Sequence, residues 1–246
     1  AYRAAAGERM QVIDYGPSDR QKIDFFRPAQ PDPKARIVLF IHGGYWQALD
    51  RRMFSHMAKG LNAHGVPVAV VGYDLCPEVQ IGQIIEQMIG AGELLFKLSG
   101  RPIVACGHSA GGHLAACLVA TEWTSLDFSY PERLVRAGLA ISGLFELEPL
   151  LPTSVNEKLA MTIDSARSYS PRLWPPPSGT VFDAWVGAEE SAEYLRQSAG
   201  IAAVWQAAGN DTRVVEVAGA NHFTVVAGLA NPDDPMTRRL ADLAKS

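Results

Sequence analysis

The sequence predicts an α/β fold, a mostly parallel central sheet with helices on both faces. Two observations predict it. Short apolar, β-branched runs alternate with stretches of helical spacing over most of the 246 residues. In that alternation each helix carries the chain back to a parallel neighbouring strand. The second is Gly107-His108-Ser109-Ala110-Gly111-Gly112, which lies directly between a buried run and a helix-like run.

Met10–Tyr15 and Lys22–Phe26 flank a Gly16-Pro17-Ser18-Asp19 turn, which reads as an antiparallel hairpin on the sheet edge. Pro28, Pro31 and Pro33 make an extended connection. Ile37–Ile41 is a buried strand by length and β-branching, and a helix follows near Arg51 to His64. Val66–Tyr73 is the next strand. From Ile81 to Phe96 the apolar residues recur at helical spacing, with Gly90 and Gly92 tolerated inside. Ile103–Cys106 is the strand before Ser109, His113–Thr121 belongs to the helix after it, and Ala137–Ile141 is a further strand. Residues 146–180 break the rhythm, because six of the sixteen prolines lie there. They are expected to form a cap or lid over the sheet's C-terminal edge, the alternative being a long surface loop. Val181–Val186 is a strand, Ser191 caps a helix reaching Gln206, and Arg213–Val217 is the last strand. Asp234-Pro235 opens the final helix with an acidic cap and Pro at the first helical position. With no repeat and no linker, residues 1–246 are expected to form a single domain.

Composition narrows the function. The chain is 48% hydrophobic and 20% charged, which is globular. A net charge of −4 supplies no basic patch, so nucleic acid is not an expected partner. No eighteen-residue apolar run predicts a membrane span. Cys76, Cys106 and Cys117 have no paired spacing; the last two read as small buried hydrophobes, and a reducing cytoplasm is the expected setting. The expected partner is a small-molecule substrate, with a homodimer left open.

Gly-x-Ser-x-Gly between strand and helix carries the chemistry. A serine on so sharp a turn is forced into a strained backbone conformation that lifts its hydroxyl clear of the sheet, and flanking glycines leave room for it. Ser109 is therefore the candidate nucleophile. Upstream, a buried strand runs into His42-Gly43-Gly44-Tyr45-Trp46. Attack on a carbonyl builds negative charge on its oxygen, and backbone N–H groups must meet it. Gly43 and Gly44, bare of Cβ, allow that approach, although an ordinary turn would look the same in isolation.

A serine hydroxyl needs a base, and the base an orienting acid. His222 follows the last strand, and loops beyond the C-terminal ends of parallel strands gather at one edge. The other histidines fit less well. His108 is adjacent to the serine and is expected to point away. His113 lies within the helix, His56 and His64 look like surface positions, and His42 reads as a brace. For the acid, Glu189 and Glu190 both follow the strand ending at Val186, and either could instead serve only as favourable charge at a helix N-terminus. Asp183 is discounted as lying within a strand and Asp211 as lying at the wrong end of the sheet.

Taken together, these residues resemble the α/β-hydrolase fold over nearly the whole chain, and more narrowly the kynurenine formamidase (arylformamidase) family of the esterase/lipase group. His42-Gly43-Gly44-Tyr45-Trp46 is similar to the family's oxyanion motif His-Gly-Gly-x-Trp, which small-substrate carboxylesterases also carry. Gly107–Gly112 is similar to its nucleophile turn, and Glu190–Ser198 to its acid segment. The resemblance implies Glu190 as the acid, where relatives often carry Asp; the longer Glu serves if its loop backbone sits further back. It implies hydrolysis of N-formyl-L-kynurenine to L-kynurenine and formate, with a Ser109-His222-Glu190 triad. The oxyanion would be held by the N–H groups of Gly44 and Ala110, with Gly43 shaping the loop. Tyr45, Trp46 and Trp174 would wall the aromatic leaving part, although Trp46 could equally anchor the loop by packing. No metal and no organic cofactor are implied. The alternatives are a carboxylesterase for short-chain or aryl esters and an inactive hydrolase fold used as a binding module.

Overall fold

The computed structural model describes residues 1–246. Eight strands form one sheet: β1 (Met10–Asp14), β2 (Lys22–Phe26), β3 (Val38–Ile41), β4 (Val68–Val71), β5 (Ile103–His108), β6 (Val135–Ile141), β7 (Val181–Gly187) and β8 (Asp211–Val217). Their spatial order is β1-β2-β4-β3-β5-β6-β7-β8. The β1–β2 hairpin pairs antiparallel, with Met10 opposite Phe26 and Asp14 opposite Lys22, and it sits on the edge beside β4. From β4 to β8 every pairing is parallel.

This order places the site. After β3 the chain moves outward to β4, then returns to lay β5 on the other side of β3. The direction of winding thus reverses between β3 and β5, and loops leaving the two C-terminal ends open a crevice there. The loop after β3 is the His-Gly-Gly segment, and the turn after β5 carries Ser109.

Strand alternation divides the interior. Leu39, Ile41, Ile103 and Ala105 face one core of 40 buried residues, with the Ile81–Ser99 and Ala192–Ala207 helices packed on it. Val38, Phe40, Val104 and Cys106 face a second core of 25, covered by Ala58, Leu61 and the Pro235–Lys245 helix. The final helix starts as its sequence dictates: Asp234 accepts from the Met236 N–H, and Pro235 occupies the first turn. Cys106 and Cys117 are buried. No helix is long and apolar enough to cross a membrane.

Some boundaries differ from expectation. Arg51–Met57 is a 3-10 helix and only Ala58–Ala63 is α-helical. The strand expected over 66–73 pairs only at Val68–Val71. Ser191 caps its helix by position, without a side-chain hydrogen bond. Residues 146–180 hold two short helices, Asn156–Leu159 and Ile163–Ser168, between 3-10 turns at Glu148–Leu150 and Pro171–Leu173. The segment leaves the C-terminal end of β6. The Gln47 amide donates to the Val155 carbonyl, and the His113 ring N–H to that of Tyr169. It then descends to the start of β7 at the opposite edge.

Candidate active site

The β5-to-helix turn holds Ser109 at φ 56° and ψ −119°, a strained conformation for a residue with a Cβ. Its neighbours explain how the turn closes. A Cβ on Gly107 would lie 2.1 Å from the Gly111 carbonyl oxygen, and one on Gly111 would lie 2.0 Å from that of Ile41. Strand and helix therefore approach too closely for any other residue at either position. Ser109 is only 3% exposed.

The loops after β6, β7 and β8 form a hydrogen-bonded line that ends on the Ser109 hydroxyl. His222, beyond β8, places Nε2 3.1 Å from Ser109 Oγ. Its Nδ1 lies 2.7 Å from Glu190 Oε2. Glu190 Oε1 accepts from the Ser142 hydroxyl at 2.5 Å and from the Gly187 N–H at 2.8 Å. Burial works to raise the Glu190 carboxyl, but these hydrogen bonds together hold it below the ordinary carboxylate value. An ionised carboxylate can only accept, so His222 Nδ1 carries a proton and Nε2 is left to accept from the serine. Glu189 is exposed, and its side chain makes no hydrogen bond here; the structure brings Glu190, not Glu189, to the imidazole.

The β3 loop lies against the serine. A Cβ on Gly43 would lie 3.0 Å from Ser109 Cβ and 2.9 Å from the His108 carbonyl oxygen, so glycine permits this contact. Gly44 takes φ 108°, which favours glycine. Ala110 is the first residue of its helix, where the N–H has no partner within the helix. His42 braces the loop: its Nδ1 is 2.8 Å from the Gly43 carbonyl oxygen, and its ring stacks on Tyr73 and Phe54. The Tyr73 hydroxyl donates to the His42 carbonyl.

Three placements correct the sequence reading. His108 does not point away. Its ring packs 4.8 Å from that of His222, and its Nε2–H donates to the His222 carbonyl. Strand period carried this signal, because residues 104, 106 and 108 share one face. Trp46 is fully buried, edge-on to His113, and presents no surface to the crevice. It anchors the loop by packing. Trp174 lines a cleft of about 490 Å³ with Thr121, Glu122 and Arg133. That cleft sits at the far end of the Ala110–Ala120 helix, about 16 Å from Ser109 at 1.5 Å per residue. Of the expected wall, only Tyr45 reaches the site: its hydroxyl is 3.1 Å from that of Tyr194. Tyr194 was not expected. Its ring packs 4.5 Å from the His222 ring.

Burial pushes His42, His108 and His113 each down to about 4, so all three are neutral at pH 7. The unfolded chain protonates them near pH 6.5. As pH falls from about 6.5 to about 4 the unfolded state binds protons that the folded state refuses, and stability drops. Urea unfolding across this range should show a falling midpoint with proton uptake on unfolding. His108→Gln should reduce the uptake by about one proton.

The fold, the strained serine and its imidazole partner define a class, and comparison with known proteins places the chain in it. The chain belongs to the α/β-hydrolase family: residues 38–226 match the family described as having an alpha/beta hydrolase fold. It is a hydrolase, of the arylformamidase-like or esterase kind. It is 30% identical over 242 residues to the kynurenine formamidase of Danio rerio, covering 95% of this chain and 81% of that protein. The Salmo salar kynurenine formamidase is also 30% identical, with 93% and 79% covered. Among solved structures, a Silicibacter protein described provisionally as a thioesterase is 34% identical, with a TM-score of 0.87. That match covers 100% of this chain and 88% of the other.

Proposed function

We propose that Ser109, His222 and Glu190 are the catalytic triad of an arylformamidase that converts N-formyl-L-kynurenine to L-kynurenine and formate. The hydrogen-bonded line from Ser109 Oγ through His222 to Glu190 is the observation that carries this reading. Likeness to kynurenine formamidases over more than nine-tenths of the chain supports the substrate.

Ser109 Oγ attacks the formyl carbon while His222 Nε2 takes the hydroxyl proton. The carbonyl oxygen becomes an oxyanion held by the N–H groups of Gly44 and Ala110, with Gly43 allowing the loop to lie against the serine. Collapse breaks the C–N bond, and His222 gives its proton to the departing arylamine. Water, deprotonated by His222, then attacks the formyl-serine and releases formate, and the proton returns to Ser109. Glu190 stabilises the imidazolium formed in each half. The tightly enclosed serine suits a one-carbon acyl group. None of these steps calls for a metal or cofactor.

A second reading, hydrolysis of small esters or thioesters, is favoured by the Silicibacter structure. Comparing kcat/KM on N-formyl-L-kynurenine, p-nitrophenyl acetate and acetyl-coenzyme A separates the two. The formamide should be preferred; a large preference for either acetyl compound would replace the formamidase reading.

A further inference from the structure

We infer that the hydroxyls of Tyr45 and Tyr194 form a polar recognition element for the leaving group, selecting substrates that carry an oxygen acceptor ortho to the scissile nitrogen. The inference rests on the serine-hydrolase reading above and adds what that reading leaves open: how the enzyme tells one arylamide from another.

Proton transfer fixes where the leaving group goes. His222 Nε2 hands the proton to the departing nitrogen, so that nitrogen lies on the imidazole side of the tetrahedral carbon. Tyr194 is packed on the imidazole, ring centroids 4.5 Å apart. It therefore stands on the departure side. Its hydroxyl meets that of Tyr45 at 3.1 Å. Burial, followed by the bond to Tyr45, raises the Tyr194 phenol, so it stays protonated at every working pH.

Two phenols sharing one hydrogen bond use one of their two protons. The other O–H remains available to an acceptor in the crevice, because both side chains are only half-buried. Tyr45 is held at φ 49° immediately after Gly44, and Tyr194 sits in the first turn of the helix after Glu190. The loop expected to hold the oxyanion and the segment carrying the acid thus each contribute one hydroxyl to the same spot. A purely apolar wall would need neither. The hydroxyl pair fits a carbonyl oxygen two ring carbons from the formamide, as in an ortho-acyl formanilide. A substrate without that oxygen leaves the free O–H unpaired once water is expelled, and this discriminates against it.

The test uses matched pairs on the native enzyme and on Tyr194→Phe and Tyr45→Phe: 2′-formamidoacetophenone against formanilide, and 2-acetylphenyl acetate against phenyl acetate. Active sites are titrated with a fluorophosphonate so that rates refer to folded, competent protein. The ortho-acyl member of each pair should lose about tenfold more kcat/KM than its partner in Tyr194→Phe, the size of one neutral hydrogen bond. Tyr45→Phe should act in the same direction. Equal losses for both members, or an unchanged ratio, would overturn the inference, because a phenol that merely props His222 affects every substrate alike. The ester pair keeps the two claims apart. If wild type ignores both formanilides but shows the ortho-acyl preference on esters that Tyr194→Phe abolishes, the formamidase reading fails and the recognition element stands.

Discussion

Ser109→Ala is expected to lower kcat by about 10⁴- to 10⁶-fold with little change in fold. On the proposed triad the loss follows from chemistry, because the Ser109 hydroxyl is the one hydrogen-bonded to His222 Nε2. The fold should survive because alanine keeps the Cβ, so the φ of 56° is no more strained than before. His222 retains its bond to Glu190, its ring contacts with His108 and Tyr194, and the hold of His108 on its carbonyl. Single-turnover and steady-state rates, thermal unfolding and fluorophosphonate labelling check the prediction together. Native protein should label stoichiometrically and the variant not at all. Equal labelling of the variant would move the nucleophile elsewhere. Absence of labelling in the native protein would favour a hydrolase fold kept for binding alone.

Most of the scaffold is legible in the sequence because its determinants are local. The hairpin register of Met10–Asp14 on Lys22–Phe26 follows from two alternating runs and one turn. The strand–Gly-x-Ser-x-Gly–helix order follows from period and glycine spacing. What is not legible depends on contacts between distant segments. The Tyr45–Tyr194 bridge spans 149 positions and the Ser142–Glu190 bond spans 48, and neither pair has any local signature. Trp174 misled for the opposite reason. An aromatic among prolines in an excursion near the site invites a substrate role, yet composition does not say which edge of the sheet such a path has reached. His108 lay between these cases. Its neighbour Ser109 suggested divergence, while the two-residue period of β5 put it on the face where Ala220, Val225 and the His222 loop pack.

Glu190→Gln is expected to lower kcat by about 10³- to 10⁴-fold, while Glu189→Gln stays within about twofold of wild type, although the two residues are adjacent and isosterically changed. On the proposed triad the reason lies in how the carboxylate is used. Oε1 receives two donors, the Ser142 hydroxyl and the Gly187 N–H, and Oε2 receives His222 Nδ1–H. Glutamine has one oxygen for these three donors. Turning it toward Ser142 and Gly187 satisfies two, and sets the amide N–H₂ against Nδ1. The imidazole must then accept there and carry its proton on Nε2, where it can no longer accept from Ser109. Turning the amide the other way preserves the tautomer but drives N–H₂ into two donors and removes the charge that stabilises the imidazolium. Either arrangement disables the base without moving it, so KM should change far less than kcat and thermal stability should fall only modestly. Glu189 has no such partners, and neutralising it removes only an exposed charge near a helix N-terminus. Fluorophosphonate labelling should slow in Glu190→Gln in step with kcat, because phosphonylation needs the same activated hydroxyl. Equal losses in the two variants would show instead that the segment's overall charge, rather than one oriented carboxylate, supports the imidazole.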